Sequence, residues 1–246
     1  NFSGSFSSTK LSTQVAPSGG SWSYSTSLPS FVDGSSYTFI SEGINFYDVP
    51  EATPLENLVF FDTTPPNVSI SIPDGVKEYY NSISTFAGTA TDPPGTRPPS
   101  AGINNVFVEL KALNGDYAGK FWDNTLSTFT ATWSELNNKA TYYITASTWS
   151  YTISVPTAAL INGVKYSVRV KGRDNSYRDN LFEGNDSAFF GPYTFNYDII
   201  TPTATITSVS NAQVRSGVSI SSGNILEDMV IENLSLSPST QISEIR

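Results

Sequence analysis

The sequence predicts an all-β protein assembled from repeated sandwich units, and three observations carry that expectation. Charged residues make up only 14% of the 246, so Ser, Thr and Asn supply the polar surface, and these residues compete with helical backbone bonding. Apolar and polar residues alternate over short runs, the period of a half-buried strand. Finally, long stretches of the chain echo one another, which marks repeated domains rather than short solenoid units.

The echo can be followed residue by residue. Trp22-Ser23-Tyr24-Ser25-Thr26-Ser27-Leu28-Pro29 is answered by Trp149-Ser150-Tyr151-Thr152-Ile153-Ser154-Val155-Pro156. Asp33-Gly34-Ser35-Ser36-Tyr37 is answered by Asn162-Gly163-Val164-Lys165-Tyr166, where Asp-Gly or Asn-Gly supplies the positive φ of a tight turn. Phe61-Asp62-Thr63-Thr64-Pro65-Pro66 corresponds to Tyr197-Asp198-Ile199-Ile200-Thr201-Pro202. Trp22 and Trp149, like Asp62 and Asp198, stand far enough apart for a whole domain to fit between them. The equivalence of the two tryptophans implies that both pack in a core. Thr63-Thr64-Pro65-Pro66 reads as a short, semi-rigid hinge, because proline cannot donate a ladder bond and favours extended geometry.

These matches divide the chain into one complete repeat and two partial ones. Residues 63–199 form the complete unit, with strands expected at 67–72, 82–91, 103–111, 127–133, 141–146, 149–155, 165–172 and 188–197. Residues 1–62 correspond to the second half of a unit. Residues 200–246 correspond to the first half, Ile242-Ser243-Glu244-Ile245-Arg246 answering to Ile103-Asn104-Asn105-Val106-Phe107. Several short strands with Gly, Pro and Asn turns between them argue for a sandwich.

Asp62-Thr63-Thr64-Pro65-Pro66-Asn67-Val68-Ser69-Ile70 resembles the opening linker and first strand of the bacterial immunoglobulin-like tandem repeats found in large surface proteins and adhesins. Phe86-Ala87-Gly88-Thr89-Ala90-Thr91-Asp92 and Gly102-Ile103-Asn104-Asn105-Val106 resemble that family's second and third strands. Asn162-Gly163-Val164-Lys165-Tyr166 through Val170-Lys171-Gly172-Arg173-Asp174-Asn175 resembles its final hairpin and following loop. The resemblance implies tandem immunoglobulin-like β-sandwiches in an extracellular or cell-surface setting, as stalk, fibre or adhesin.

Composition narrows the chemistry. The chain has no His and no Cys, which removes the commonest general base, the thiol nucleophile and the usual zinc and copper ligands. No Gly-x-Ser-x-Gly elbow is present, and Glu109, Asp116 and Asp123 have no spacing that pairs them for glycoside hydrolysis, so the expectation is that it is not an enzyme. A net charge of −9 without a Lys/Arg cluster disfavours nucleic acid and anionic membranes as partners. No run approaches the roughly 18 apolar residues of a spanning helix.

Two sets of residues remain as candidates for binding. Asp62, Asp92, Asp174 and Asp198 fall at strand ends or linkers and offer the oxygen ligands calcium prefers, as do Asp179 and Asn180 in the loop after Asp174. The same residue types also close turns with their own side chains, and on that reading no cofactor is needed. Trp122 and Trp133, in the loop-rich middle, could stack on a surface glycan or a partner, or else pack beneath a long loop.

The first functional expectation is a structural repeat segment that self-associates or abuts adjacent repeats of the same protein; the second is a carbohydrate- or partner-binding module. Two half-units each expose half a core, and three arrangements would satisfy them. The parent chain continues at both ends, the two halves close on one another, or one subunit completes the next as a head-to-tail filament.

Overall fold

In the computed structural model, residues 14–24, 30–93, 100–177, 184–206 and 223–226 are described. The strands are β1 (Ser35–Ser41), β2 (Leu55–Phe61), β3 (Asn67–Val68), β4 (Tyr79–Tyr80), β5 (Thr85–Thr91), β6 (Ile103–Ala112) and β7 (Phe121–Asp123). They continue as β8 (Thr128–Thr130), β9 (Thr141–Tyr143), β10 (Thr148–Thr152), β11 (Val164–Asp174), β12 (Phe190–Tyr197), β13 (Thr203–Ile206) and β14 (Gly223–Leu226). A single helical turn, α1 (Pro156–Ala159), is the only helix among the described residues. The expected all-β class is what the chain adopts. Each of the eight expected strands has a counterpart, and β4 and β7 were not foreseen. Asp179, Asn180, most of the Pro93–Pro99 loop and the Ile242–Arg246 echo lie outside the described residues.

Two compact units divide the chain. The first takes in the described residues of Asn1–Pro65, Asp92–Gly102 and Asn175–Asn185, and the second those of Pro66–Thr91, Ile103–Asp174 and Asp186–Arg246.

The second unit holds a four-stranded sheet in the order β3-β5-β10-β9 and a six-stranded sheet in the order β4-β12-β11-β6-β7-β8. All pairings in these sheets are antiparallel except β4 with β12. Alternation decides which side chains meet between the sheets. Phe86 and Ala90 on β5 and Trp149 and Tyr151 on β10 point inward, facing Val106, Val108 and Leu110 of β6, Tyr166, Val168 and Val170 of β11, and Phe195 of β12. Phe86 and Phe195 touch across the gap with ring centroids 6.2 Å apart, while Tyr166 and Phe195, paired across strands, stack at 5.6 Å.

The largest core side chain of the small sheet is accommodated by the smallest residue. Trp149 lies opposite Gly88 in the β5–β10 ladder, and its indole N–H donates to the carbonyls of Ser69 (3.0 Å) and Thr89 (3.2 Å). A Cβ at residue 88 would fall 1.9 Å from the Ser69 carbonyl oxygen and 2.8 Å from Cζ2 of Trp149.

Unit one is built differently. Its strands β1 and β2 form a two-stranded antiparallel sheet from Ser35↔Phe61 to Ser41↔Leu55. Phe31 packs its ring against Tyr37, Phe39 and Phe61 at 5.0, 6.0 and 5.3 Å. Trp22 corrects the expectation drawn from its echo: it lies outside any strand and is 61% exposed, whereas Trp149 is buried. The matching local sequence sets up the alternation, but only β10 has β5 and β9 beside it to complete a core.

Two substitutions test that contrast. Trp149→Ala is expected to cost about 3–5 kcal/mol in urea unfolding, as for a fully buried aromatic, and Trp22→Ala to stay within about 0.5 kcal/mol. Gly88→Ala should behave like an overpacked core, losing on the order of 1–3 kcal/mol, because a methyl there meets backbone rather than a yielding side chain.

Candidate functional site

The hairpin β1–β2 of the first unit and the hairpin β11–β12 of the second close with the same hydrogen bonds. Before each first strand, a backbone N–H donates to the hydroxyl of the inward tyrosine: Val32 to Tyr37 at 2.7 Å and Ile161 to Tyr166 at 2.8 Å. Each turn glycine, at φ +69° for Gly34 and +76° for Gly163, donates to the last residue of the second strand. These bonds run from Gly34 to the Phe61 carbonyl (2.7 Å) and from Gly163 to the Tyr197 carbonyl (2.8 Å). An L-residue side chain would be strained at either glycine, which is why the echo keeps glycine there.

The residue before each glycine then holds the outgoing chain. Asp33 Oδ1 accepts the Thr63 N–H at 2.6 Å, and Asn162 Oδ1 accepts the Ile199 N–H at 2.9 Å. One residue further, Asp62 Oδ1 takes the Thr64 N–H and Asp198 Oδ1 takes the Ile200 N–H, both at 3.0 Å. Asp33 binds more strongly than its neutral counterpart, since the Thr64 hydroxyl also donates to Oδ2 at 2.7 Å. The Thr63 N–H foremost, then the Thr64 hydroxyl, hold its carboxyl below the ordinary 3.8.

Sequence reasoning took Asp33 and Asn162 as turn residues only. The signal that could have found them is their equivalent place in the echo, where both side chains offer a hydrogen-bond acceptor although one is charged and the other neutral.

Of the four expected cation ligands, Asp62 and Asp92 belong to the first unit and Asp174 and Asp198 to the second. Asp62 and Asp92 come together in the first unit, with carboxylate oxygens within 4.8 Å of each other. Backbone N–H groups serve both: Ala101 donates to Asp62 Oδ2 and Gly102 to Asp92 Oδ2, each at 2.6 Å. Asn185 adds its side-chain amide to the Asp62 carbonyl at 3.1 Å. Asp174, in the second unit, is the buried last residue of β11, opposite Ile103. Asp198 stands at the end of β12, its N–H on the Tyr80 carbonyl at 3.0 Å.

The two candidate tryptophans also part company. Trp122 lies on the unforeseen strand β7, is buried edge-on against Phe129 with centroids 5.4 Å apart, and donates its indole N–H to Asn124 Oδ1 at 3.1 Å. Its ring therefore offers no face for stacking, and of the two readings the sequence left open, packing away from solvent is the one its burial fits. Trp133 is half-buried over the outer face of the large sheet, its N–H on the Val108 carbonyl at 3.0 Å and its ring 5.3 Å from Phe189.

That outer face carries a network that the sequence did not suggest. Arg169 makes a bidentate pair with the buried Glu109 at 2.7 and 2.8 Å and lies 4.1 Å over the Phe189 ring. Lys171 pairs with Glu135 and, at 2.8 Å, with Asp186. Arg173 reaches Glu135 at 3.0 Å and grips both oxygens of Asp186 at 2.5 and 2.8 Å. Burial works to raise the Asp186 carboxyl, but hydrogen bonds from Arg173 and Lys171 and their charges outweigh it and set it below 3.8. Every member of the network is a pairing or packing group, and it holds the segments around Glu135 and Asp186 against β11.

No family model, curated protein or solved structure matches the chain.

Two measurements bear on these contacts. Asn162→Ala removes the acceptor of the Ile199 N–H, a neutral hydrogen bond of about 1 kcal/mol, so amide exchange at Ile199 should quicken about fivefold with little change in the β6 core. For Asp186, a carboxyl whose folded pKa is depressed stabilises the fold above its unfolded value and loses that contribution as pH falls through the folded one. Acid unfolding should therefore set in below about pH 3.8, and Asp186→Asn should flatten that limb while lowering stability at pH 7.

Proposed function

We propose that this chain is a structural segment of an extracellular bacterial surface fibre, stalk or adhesin, built of tandem immunoglobulin-like sandwiches and without catalytic activity. The observation that carries the reading is the four-bond correspondence between the bases of the two hairpins, at Val32/Ile161, Gly34/Gly163, Asp33/Asn162 and Asp62/Asp198. Those bonds hold the chain that follows each hairpin, at the places where the sequence echo divides one repeat from the next, and they recur there in the same form. A stalk needs that property, because reach depends on successive units emerging at a repeatable angle.

The ladders beyond the hairpins support the same division. Strand β13 pairs with β14 as Thr203↔Leu226 and Ala204↔Ile225, which parallels Asn67↔Thr91 and Val68↔Ala90 in β3–β5. On the repeat reading, the third repeat would thus open its first ladder at Thr203, as the complete repeat does at Asn67.

The reading is tested by joining copies of residues 63–199 in series and measuring small-angle scattering. Each added copy should lengthen the particle by one equal increment. Particles that thicken without lengthening would remove the stalk reading. Surface exposure is tested separately: an antibody raised against residues 103–174 should label intact cells of the source organism, and labelling confined to broken cells would overturn the extracellular assignment.

A further inference from the structure

The inward side of β1–β2 is the counterpart of a core face, yet much of it is bare. Tyr37, Phe39, Val59 and Phe61 share one side of the hairpin by strand alternation and register. Their counterparts in the echo are Tyr166, Val168, Phe195 and Tyr197. Val168 and Phe195 are 0% and 1% exposed, whereas Phe39 and Val59 are 45% and 44% exposed, with Leu55 at 63% on the same side. Phe31 has already taken the place of Leu160, a core residue, at the closed end of that side. An apolar sheet face of this extent in water calls for a cover.

The second unit displays what covers such a face: a sheet in which β3 and β5 lie beside β10, with Phe86 reaching Phe195, Ala90 fully buried and Trp149 and Tyr151 in the same core. Counterparts of β3 and of the end of β5 at residues 88–91 are present in this chain as β13 and β14, where Ile225 occupies the register position of Ala90. Further along the sequence, Ile242-Ser243-Glu244-Ile245-Arg246 carry the apolar pattern of Ile103–Phe107, the start of the strand that flanks β11. Each copy of the chain therefore carries one bare face and the kind of segment that covers it.

We propose that the Phe39–Leu55–Val59 face of β1–β2 is covered by the β13–β14 segment of a second copy of this chain, so that copies join head to tail. The contact is heterologous, since the surface given differs from the surface received, and such contacts propagate into open chains rather than closing as dimers. The inference rests on the repeat reading above but adds a partner and a register.

The test uses the full chain and two variants, Val59→Asp on the bare face and Ile225→Asp on β14. In sedimentation velocity, the unsubstituted chain should grow in whole-chain steps with concentration, and each variant alone should remain a monomer. An equimolar mixture should form a one-to-one dimer and stop, because each variant keeps one intact end. Near-ultraviolet dichroism from Trp122 and Trp149 should be unchanged in both, showing that the sandwich is folded. An unsubstituted chain that stays monomeric at every concentration overturns the proposal, as does a dimer that survives Ile225→Asp, which would mean that two β1–β2 faces pair with each other. Neither failure touches the serial-copy scattering result, so the pairing and the repeat reading fall separately.

Discussion

Tyr166, Val168 and Phe195 are sealed because Phe86, Trp149 and Tyr151 stand on the opposing sheet, and much of what the chain does structurally follows from that requirement for two sheets. A single sheet of alternating residues creates an apolar face and leaves it wet. The second unit meets the requirement within itself, through a ladder that admits Trp149 only because residue 88 is glycine. The hairpin β1–β2 presents the same face without that opposing sheet among the described residues, and its large side chains remain exposed. Identical local rules give a core in one place and an open apolar surface in the other.

The outer side of the six-stranded sheet shows a different solution to covering strands. Antiparallel sheets commonly leave one side to water, but β6 carries Phe107 and Glu109 there, both buried. A buried carboxylate is costly unless it is paired and hydrogen-bonded, and Arg169 supplies a bidentate partner whose other face rests on Phe189. Lys171 and Arg173, at alternating positions along the same strand, extend the row toward Glu135 and Asp186. The ion pairs thus bind two loop segments to the sheet, and direction matters more than raw energy, since partly exposed pairs contribute little each. Trp133 belongs to this cover, which accounts for an indole N–H turned inward to Val108.

Much of this was legible in the sequence because period and turn chemistry are local. Alternation located the eight strands of the complete unit, and Asp33-Gly34 with Asn162-Gly163 located the turns that start β1 and β11. What escaped depended on neighbours distant in sequence. Phe121-Trp122-Asp123 is too short to show alternation, and it becomes strand β7 only by pairing with β6 at Lys111 and with β8. Trp22 shares its local sequence with Trp149 but not its surroundings, so burial could not be carried from one to the other. The four aspartates chosen as a set lie at strand ends as expected, yet Asp62 and Asp198 spend a carboxylate oxygen on the next turn of backbone. Spacing identified where the carboxylates would be, and hydrogen-bond partners decided what they do.

The two hairpins differ in length, and the difference is confined to one end. Tyr37 and Tyr166 mark the same place in the first strands, and Phe61 and Tyr197 the same place in the second. The path from Tyr166 to Tyr197 is the longer one, so the added residues lie toward the hairpin end far from the linker. β11 is accordingly longer than β1, with 11 residues against 7. At the near end nothing shifts: tyrosine hydroxyl, turn glycine, acceptor side chain and following aspartate all recur. Their widest difference is 2.6 Å at Asp33 against 2.9 Å at Asn162, as expected when a charged acceptor replaces a neutral one. A hairpin that needed only to fill a core could vary at either end. Variation confined to the far end means the geometry held fixed is the one that aims the departing chain, and in the proposed stalk that is the geometry on which reach depends.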